Sequence, residues 1–334
     1  MGSYKIGVLG LGFAGEAQVK AFQENPNTQV VAAHTRNRER LAQMAEQYQI
    51  EKPVESYDEL LDSGIDVVVI CTPDQLHTDY VLQALNQGIN ILCEKPLATS
   101  LDDARTMVSA AKNSGRIFMT GQCARFFDRS QFAKQLMDRG ELGEVFFAES
   151  DYLHNVLEFL HGWRIDPECP QNMVLGGGCH PMDLVRWFLG DVETVYAFAN
   201  KKAYPDDVPI EHDCILMSLK FKSGAIGKIL VSIGCQRPYS LGLSLYGTEG
   251  TLVDEKFFLA RYGQFEDFMD ARLPAHSHDF NHVFDEQAVH LVDCLDKGEQ
   301  PIADAVEGAK TVASCLAGVE SIETGQPVAV AEVE

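Results

Sequence analysis

Ile6-Gly7-Val8-Leu9-Gly10-Leu11-Gly12-Phe13-Ala14-Gly15 is the stretch that decides the fold. An apolar run of strand character enters a turn with glycine at three fixed places and leaves into the helical pattern Glu16 to Gln23. A strand before and a helix after are the context that lifts a GxGxxG string above an ordinary loop. Gly10 permits the tight bend, Gly12 lets the backbone come close to a pyrophosphate, and Gly15 lets the helix lie against the strand. The first turn of such a helix offers unpaired N–H groups and the positive end of its dipole to an anion.

Further apolar runs recur with helical segments between them, at Gln29 to Ala33, Val67 to Cys71, Ile89 to Cys93 and Ile117 to Thr120. This rhythm predicts an α/β Rossmann domain with a doubly wound parallel sheet, in which ligands lie beyond the carboxyl ends of the strands. Thr72-Pro73 and Glu94-Lys95-Pro96 stand at two such ends. After about Gly121 the rhythm changes to longer alternating segments, Glu144 to Tyr152, Glu193 to Ala199, Asp213 to Phe221, Ala225 to Ile233 and Leu241 to Tyr246. Period-two patterning of this kind predicts an α+β domain with a large, mostly antiparallel open sheet. Helical patterns at Asn281 to Leu295 and Asp304 to Thr324 close the chain, the second stopped by Gly325. The expected division is residues 1–120 for the dinucleotide-binding domain and 121–334 for the substrate-binding and oligomerisation domain.

Composition agrees. A chain of 334 residues exceeds what one hydrophobic core organises, and an apolar fraction of 46% leaves material for two. The formal charge of −22 repels phosphate backbones and anionic lipid, so neither nucleic acid nor a membrane is expected as a partner. Nine cysteines without a CxxC pair, several of them in apolar runs (Cys71, Cys93, Cys315), read as reduced thiols in a cytoplasmic protein. The first residues lack the charged start and long apolar stretch of a secretory segment and no run approaches the ~20 apolar residues of a membrane span, so neither secretion nor membrane insertion is expected.

The chemistry-bearing residues follow from placement. A chain that binds NAD places an acidic residue at the end of the second strand, on the adenosine ribose. Here that position reads Ala33-His34-Thr35-Arg36, with Arg38 and Arg40 behind and no carboxylate. A small hydroxyl followed by arginine suits the 2′-phosphate of NADP through a charge-assisted fork, so the expected cofactor is NADP or NAD, with NADP favoured. Lys95 can donate to a developing alkoxide, or act as a base if its pKa is brought toward neutrality; its plainer role is a solvated strand-end lysine. His180, at the start of a helical pattern that runs to Phe188, can take or return a hydroxyl proton. Asp183 can partner His180, cap the helix or pair with Arg186. Trp163 can stack on a ring and Arg164 can neutralise a phosphate or an anionic substrate group. Arg125, His154, His161 and Arg237 are candidate substrate contacts. The ligand types of zinc or manganese occur among His154, His161, Cys179, His180 and Asp183, but their spacing matches no metal motif, and no metal is expected.

These residues together resemble the glucose-fructose oxidoreductase and inositol dehydrogenase (Gfo/Idh/MocA) family over nearly the full length. The resemblance is carried by the glycine turn, Cys71-Thr72-Pro73 with His77, Glu94-Lys95-Pro96, Gly121 through Arg125, Gly178-Cys179-His180 with Asp183, and Glu320-Ser321 to Pro327. It implies hydride transfer between a nicotinamide and a polyol or sugar carbon, a cis bond before Pro96, and a second domain whose open sheet makes oligomer contacts. The expected cofactor site is Gly10, Leu11, Gly12, Phe13, Ala14, Thr35, Arg36, Arg40, Thr72, Pro73, His77, Glu94, Lys95, Gln122, Trp163 and Arg164, and the expected catalytic residues are Lys95, His180 and Asp183. The family's aspartate four residues before the histidine is Gly176 here, so either Asp183 partners His180 or another residue, such as His161, replaces the carboxylate.

The expected function is that of an oxidoreductase acting on a secondary alcohol or ketone of a sugar, inositol or sugar derivative, as a homodimer or homotetramer. One alternative is a redox-assisted glycosidase or lyase, which oxidises a sugar transiently, eliminates and reduces again. Another is a non-catalytic nicotinamide sensor.

Overall fold

In the computed structural model, which describes residues 3–166, 171–263, 267–273 and 283–334, the chain opens with β1 (Tyr4–Leu9), α1 (Phe13–Glu24), β2 (Thr28–His34), α2 (Arg38–Tyr48), β3 (Lys52–Pro53) and α3 (Tyr57–Leu61). It continues with β4 (Val67–Ile70), α4 (His77–Asn86), β5 (Asn90–Cys93), α5 (Leu101–Ser114) and β6 (Phe118–Thr120). All six strands are parallel, in the order β3-β2-β1-β4-β5-β6. The order reverses between β1 and β4, which is the switch point where such sheets leave a crevice for a ligand. Val67 to Ile70 of β4 are all fully buried, as a strand covered by helices on both faces must be. On α1 the buried residues Gly15, Gln18, Val19 and Phe22 fall at i, i+3, i+4 and i+7, one helical stripe. Burying Phe22 completely contributes about 1.5–3 kcal/mol. The helix starts at Phe13, three residues ahead of the expected Glu16, because Gly12 already serves as its cap.

The second part contains α6 (Asp128–Asp138), β7 (Val145–Leu153), α7 (Met173–Gly176), α8 (Cys179–Leu189), β8 (Val192–Asn200), β9 (Cys214–Phe221), β10 (Ile226–Ser232) and β11 (Ser240–Gly247). β12 (Gly250–Val253), β13 (Lys256–Leu259) and β14 (Met269–Asp270) follow, and α9 (Phe284–Lys297), α10 (Ala305–Thr324) and β15 (Val328–Ala329) close the chain. Nine strands form one sheet in the order β14-β13-β12-β11-β7-β10-β9-β8-β15, antiparallel throughout except between β7 and β10. One face is covered by α8, which packs on β7, β10 and β11. The other face carries Phe198, Leu216 and Ile226, exposed at 57%, 37% and 54%. Alternation along β9 marks the two faces, as period-two patterning requires.

The chain divides into two compact units, Met1–Gln122 with Val283–Ala309 and Val333–Glu334, and Cys123–His282 with Lys310–Glu332. A single cut between residues 120 and 121 therefore omits a return of the chain to the first unit. There α9 packs on α1, Tyr4 donates to Asp296 at 2.9 Å, and Thr120 N–H donates to the Ala303 carbonyl at 2.7 Å. The amphipathic pattern of α9 shows that a face is buried but not against what. Of the helix expected from Asn281, that first residue lies outside the described residues, and α9 begins at Phe284. Gly325 ends α10 with φ 64°, its N–H returned to the Ser321 carbonyl at 2.9 Å.

A Cβ on Gly15 would overlap the Gly10 carbonyl. Gly15→Ala should lower the stability of the first unit by at least ~1–3 kcal/mol, the usual cost of overpacking, read as a lower urea midpoint.

Candidate active site

The glycine turn forms a cradle. Gly10 has φ 87°, and a Cβ there would overlap the Cys71 carbonyl, so the turn lies directly on the end of β4. Nothing stands within 4 Å of a Cβ placed on Gly12, so the space above it is open. Phe13 is 59% exposed beside it, while the Leu11 side chain is buried, leaving its backbone to face the turn. Arg40, expected on the cofactor, is committed elsewhere. Its Nε donates to the Leu11 carbonyl at 3.1 Å and its guanidinium pairs with Glu16, which also accepts from Tyr48 at 3.2 Å. Arg40 thus braces the turn from α2. The fit to a dinucleotide is supported by two buried polar atoms without a protein partner among the described residues, Thr72 Oγ1 and Gln122 Oε1. Natural buried polar atoms are almost always paired, so such atoms mark places where a ligand or water supplies the partner.

Beside the end of β2 lies a cavity of about 460 Å³ lined by Thr35, Arg36, Arg38, Leu41, Pro53 and Glu55 among others. The sequence reading found no carboxylate here; the structure corrects that with Glu55. β3 pairs with β2, Ala33 opposite Pro53, and the Val54 N–H donates to the Ala33 carbonyl at 3.0 Å, which brings Glu55 alongside. Glu55 faces Arg38 at 3.4 Å, and both are exposed enough for solvent to weaken the pair. Arg36 is exposed at the mouth.

At the end of β5, Lys95 is half-buried and the Lys95–Pro96 bond is cis. Glu94 is buried and accepts from Gln18 Nε2 of α1 at 3.0 Å. Burial pushes its carboxyl up, and the Gln18 hydrogen bond and the Lys95 charge oppose that rise. Gly121 passes so close that a Cβ would come 3.0 Å from Glu94 Oε2. His77, expected on the cofactor, has no exposed surface; its ring lies between the Pro96 and Thr72 carbonyls, so it joins two strand-end loops instead.

In the second unit His180 is the second residue of α8 and 1% exposed. Tyr152 stacks on it with centroids 5.8 Å apart and planes 17° from parallel. The Tyr152 hydroxyl and His154 Nε2 are 2.9 Å apart, and the Tyr239 ring meets both side chains edge-on. Burial pushes His154 down to about 4 from its ordinary 6.5, so it is neutral near pH 7. Gly177 makes this possible, since a Cβ there would come 2.9 Å from the Tyr152 ring. Sequence reasoning missed Tyr152 and Tyr239. Tyr152 lies two residues before His154 along an extended chain and so shares its face, a legible signal; Tyr239 arrives from the loop before β11 without one.

Asp183 does not partner His180 or Arg186, nor does it cap the helix. Its oxygens accept from Arg125 Nε at 2.8 Å and Arg125 Nη2 at 2.6 Å, with Thr311 at 3.2 Å. Both members of the pair are at most 1% exposed. Arg125 is therefore an internal partner rather than a substrate contact, and Asp183 holds α8 in place rather than handling a proton. The Gln171 side chain occupies the space beside Gly176, its amide carbon 2.8 Å from where a Cβ would stand, so a side chain there would require Gln171 to move. His161 is exposed on its loop. Trp163 and Arg164 share one short helical turn, the guanidinium 4.6 Å from the indole centroid. Among the described residues no group of His, Cys, Asp and Glu could hold a metal ion, and no helix is long and apolar enough to cross a membrane.

A glycine cradle at a sheet switch point, with a strand-end lysine beside it, defines a dinucleotide-binding oxidoreductase. Comparison with known proteins specifies it further. Residues 4–122 match the family model described as "Oxidoreductase family, NAD-binding Rossmann fold", and residues 130–253 match the "GFO/IDH/MocA C-terminal domain". The chain belongs to the GFO/IDH/MocA oxidoreductase family. It is 27% identical over 312 residues to 1,5-anhydro-D-fructose reductase of Ensifer adhaerens, covering 92% of this chain and 91% of the reductase. It is 27% identical to scyllo-inositol 2-dehydrogenase (NAD(+)) of Bacillus subtilis strain 168, with 97% of this chain and 95% of that one covered. The solved structure of levoglucosan dehydrogenase in complex with NADH and L-sorbose shares the fold, with a TM-score of 0.90, 21% identity, and coverage of 99% and 100%.

Arg125→Ala should cost about 3–5 kcal/mol by leaving Asp183 charged and buried, whereas Arg125→Met with Asp183→Leu should recover most of that loss in urea unfolding. For His154, the unfolded chain binds a proton between pH 6.5 and about 4 that the folded chain does not. Stability should therefore fall as pH drops through that window, and His154→Asn should flatten the fall in urea midpoints measured at each pH.

Proposed function

We propose that this protein moves hydride between a nicotinamide and the secondary alcohol or ketone carbon of a sugar, inositol or sugar derivative, with NADP favoured over NAD. The bound dinucleotide supplies the hydride acceptor or donor. The observation that carries the reading is the strand-end lysine of the first unit: half-buried Lys95 follows Glu94, which Gln18 of the glycine-turn helix holds. Lys95 is assigned to the reacting hydroxyl, donating to it as negative charge develops. In the second unit, buried His180 is assigned as a proton-exchanging group. Neutral His154, Tyr152 and Tyr239 offer hydrogen-bonding and ring surfaces suited to a polyhydroxylated ligand. The names of the relatives, which act on an anhydro sugar, an inositol and levoglucosan, support that substrate class.

Cofactor preference rests on Thr35 and Arg36 at the β2 cavity, where Glu55 and Arg38 also stand. The open sheet face carrying Phe198, Leu216 and Ile226 supports a homo-oligomer. The free thiols of Cys71, Cys93 and Cys315 suit a reducing compartment.

Lys95→Ala should lower kcat/KM by about 10²–10⁴ while calorimetric affinity for the dinucleotide stays within a few-fold; unchanged turnover would contradict the assignment. Arg36→Ala should weaken NADP by about 1.5–3 kcal/mol and leave NAD unaffected, the difference expected for one charge-assisted contact. Equal weakening of both would remove the 2′-phosphate site.

A further inference from the structure

Arg129, the second residue of α6, is 7% exposed. Its Nε has no hydrogen-bond partner, and its guanidinium enters no ion pair among the described residues. The guanidinium lies over the Phe127 ring, 5.1 Å from the centroid. A buried cation is costly unless it is paired, and the other buried arginines of this unit are paired: Arg125 with Asp183, and Arg186 with Thr311 and Asp191. Beside it Ser130 is fully buried, and its Oγ has no partner either. Phe127 gives α6 no side-chain cap, so the N–H groups of the first turn have no intrahelical acceptor. The Cα–Cβ bonds of a helix tilt toward its N-terminus, and both side chains therefore lean over that turn.

The surroundings define what could be received there. Phe132 follows Arg129 on the same face of α6, and its ring meets Phe257 of β13 with centroids 5.4 Å apart. That contact brings the turn between β12 and β13 near, with Asp254 and Glu255 on it. Burial pushes the Arg129 pKa down, and the charges of Asp254 and Glu255 oppose that fall through space without pairing with it. Asp254 is exposed, and its Oδ1 accepts from the Leu243 N–H at 3.0 Å. Tyr239 also lies in the field of Arg129, and its ring meets Tyr152 and His154 at 5.8 and 5.1 Å. Arg129 thus borders the aromatic group to which the sugar is assigned above.

We propose that Arg129 is a specificity-determining residue that receives a carboxylate of the substrate, so that the compound acted on is an acidic sugar or polyol of the uronate or aldonate class. A guanidinium matches a carboxylate with two parallel N–H donors, and the first turn of α6 with Ser130 adds further donors. One cation with two acids near it balances a single negative charge, which favours a carboxylate over a phosphate dianion. The inference rests on the substrate reading proposed above; the burial of Arg129 without an ion pair does not.

The test is calorimetry on the full-length protein with NADP present, at fixed ionic strength. D-glucuronate, D-galacturonate and D-gluconate are each compared with the neutral parent, D-glucose, D-galactose and D-glucitol, and D-glucose 6-phosphate is added as the dianion. At least one acid should bind about tenfold to a hundredfold tighter than its parent, the ratio expected for a charge-assisted contact. In Arg129→Met that ratio should fall to about one, and Arg129→Lys should keep part of it. No acid binding more tightly than its parent, including the case in which none binds, would overturn the proposal, as would a preference that survives in Arg129→Met. Tighter binding of the phosphate through the same arginine would overturn the carboxylate. The urea midpoint of Arg129→Met should stay level or rise, because an uncompensated buried charge is removed; a fall would show a structural pairing and contradict the site. Net hydride transfer with neutral polyols alone would sink this inference and leave the functional reading standing, whereas acids bound through Arg129 without turnover would do the reverse.

Discussion

The closeness of α1 to the Gly10 carbonyl is the constraint on which the first unit depends. With no Cβ at Gly15 the helix comes down onto the turn, and with none at Gly10 the turn comes down onto the end of β4. Helix, turn and the end of β4 are thereby fixed together at the switch point of the sheet. The helix N-terminus faces open space over Gly12, where a phosphate gains from unpaired N–H groups and the helix dipole. Every later feature of the cradle serves that approach. Arg40 and Tyr48 of α2 grip Glu16, and Gln18 reaches from the same helix to Glu94 at the end of β5.

A different logic builds the second unit. Its sheet supplies a face on which aromatic side chains gather, and the run Gly176-Gly177-Gly178 lets other groups approach where side chains would stand: Gln171, the Tyr152 ring and the Val174 carbonyl. The Arg125–Asp183 pair is buried beside this, and Arg186 donates to Thr311 at 2.9 Å on the same helix face. Replacing such a pair with apolar residues is often neutral, so its presence is better understood as fixing where α8 lies than as adding stability. His180 owes its position to that anchoring.

Much of this was legible in the sequence because it follows from local periodicity. The glycine turn, the parallel order, the change to a period of two after Gly121 and the stop at Gly325 are consequences of φ/ψ demands and burial patterns within short windows. What was not legible depends on long-range pairing. Arg125 and Asp183 are 58 positions apart, and nothing in either neighbourhood says that they spend their charges on one another. Glu55 reaches the β2 cavity only because β3 pairs with β2, and a two-residue strand gives no periodic signal. His77 was legible as a residue of the motif but not as the joint between two strand-end loops, since both its carbonyl partners are backbone atoms. Gln171 fills the space beside Gly176, a relation visible only in three dimensions.

The proposed chemistry is net transfer of hydride to or from a polyhydroxylated substrate. It is tested most directly by following nicotinamide absorbance with NADP or NAD in excess over enzyme against a panel of sugars, inositols and anhydro sugars. One nicotinamide should be reduced or oxidised for each substrate molecule converted. Conversion of a glycoside without net change in absorbance would contradict it and establish transient oxidation followed by elimination.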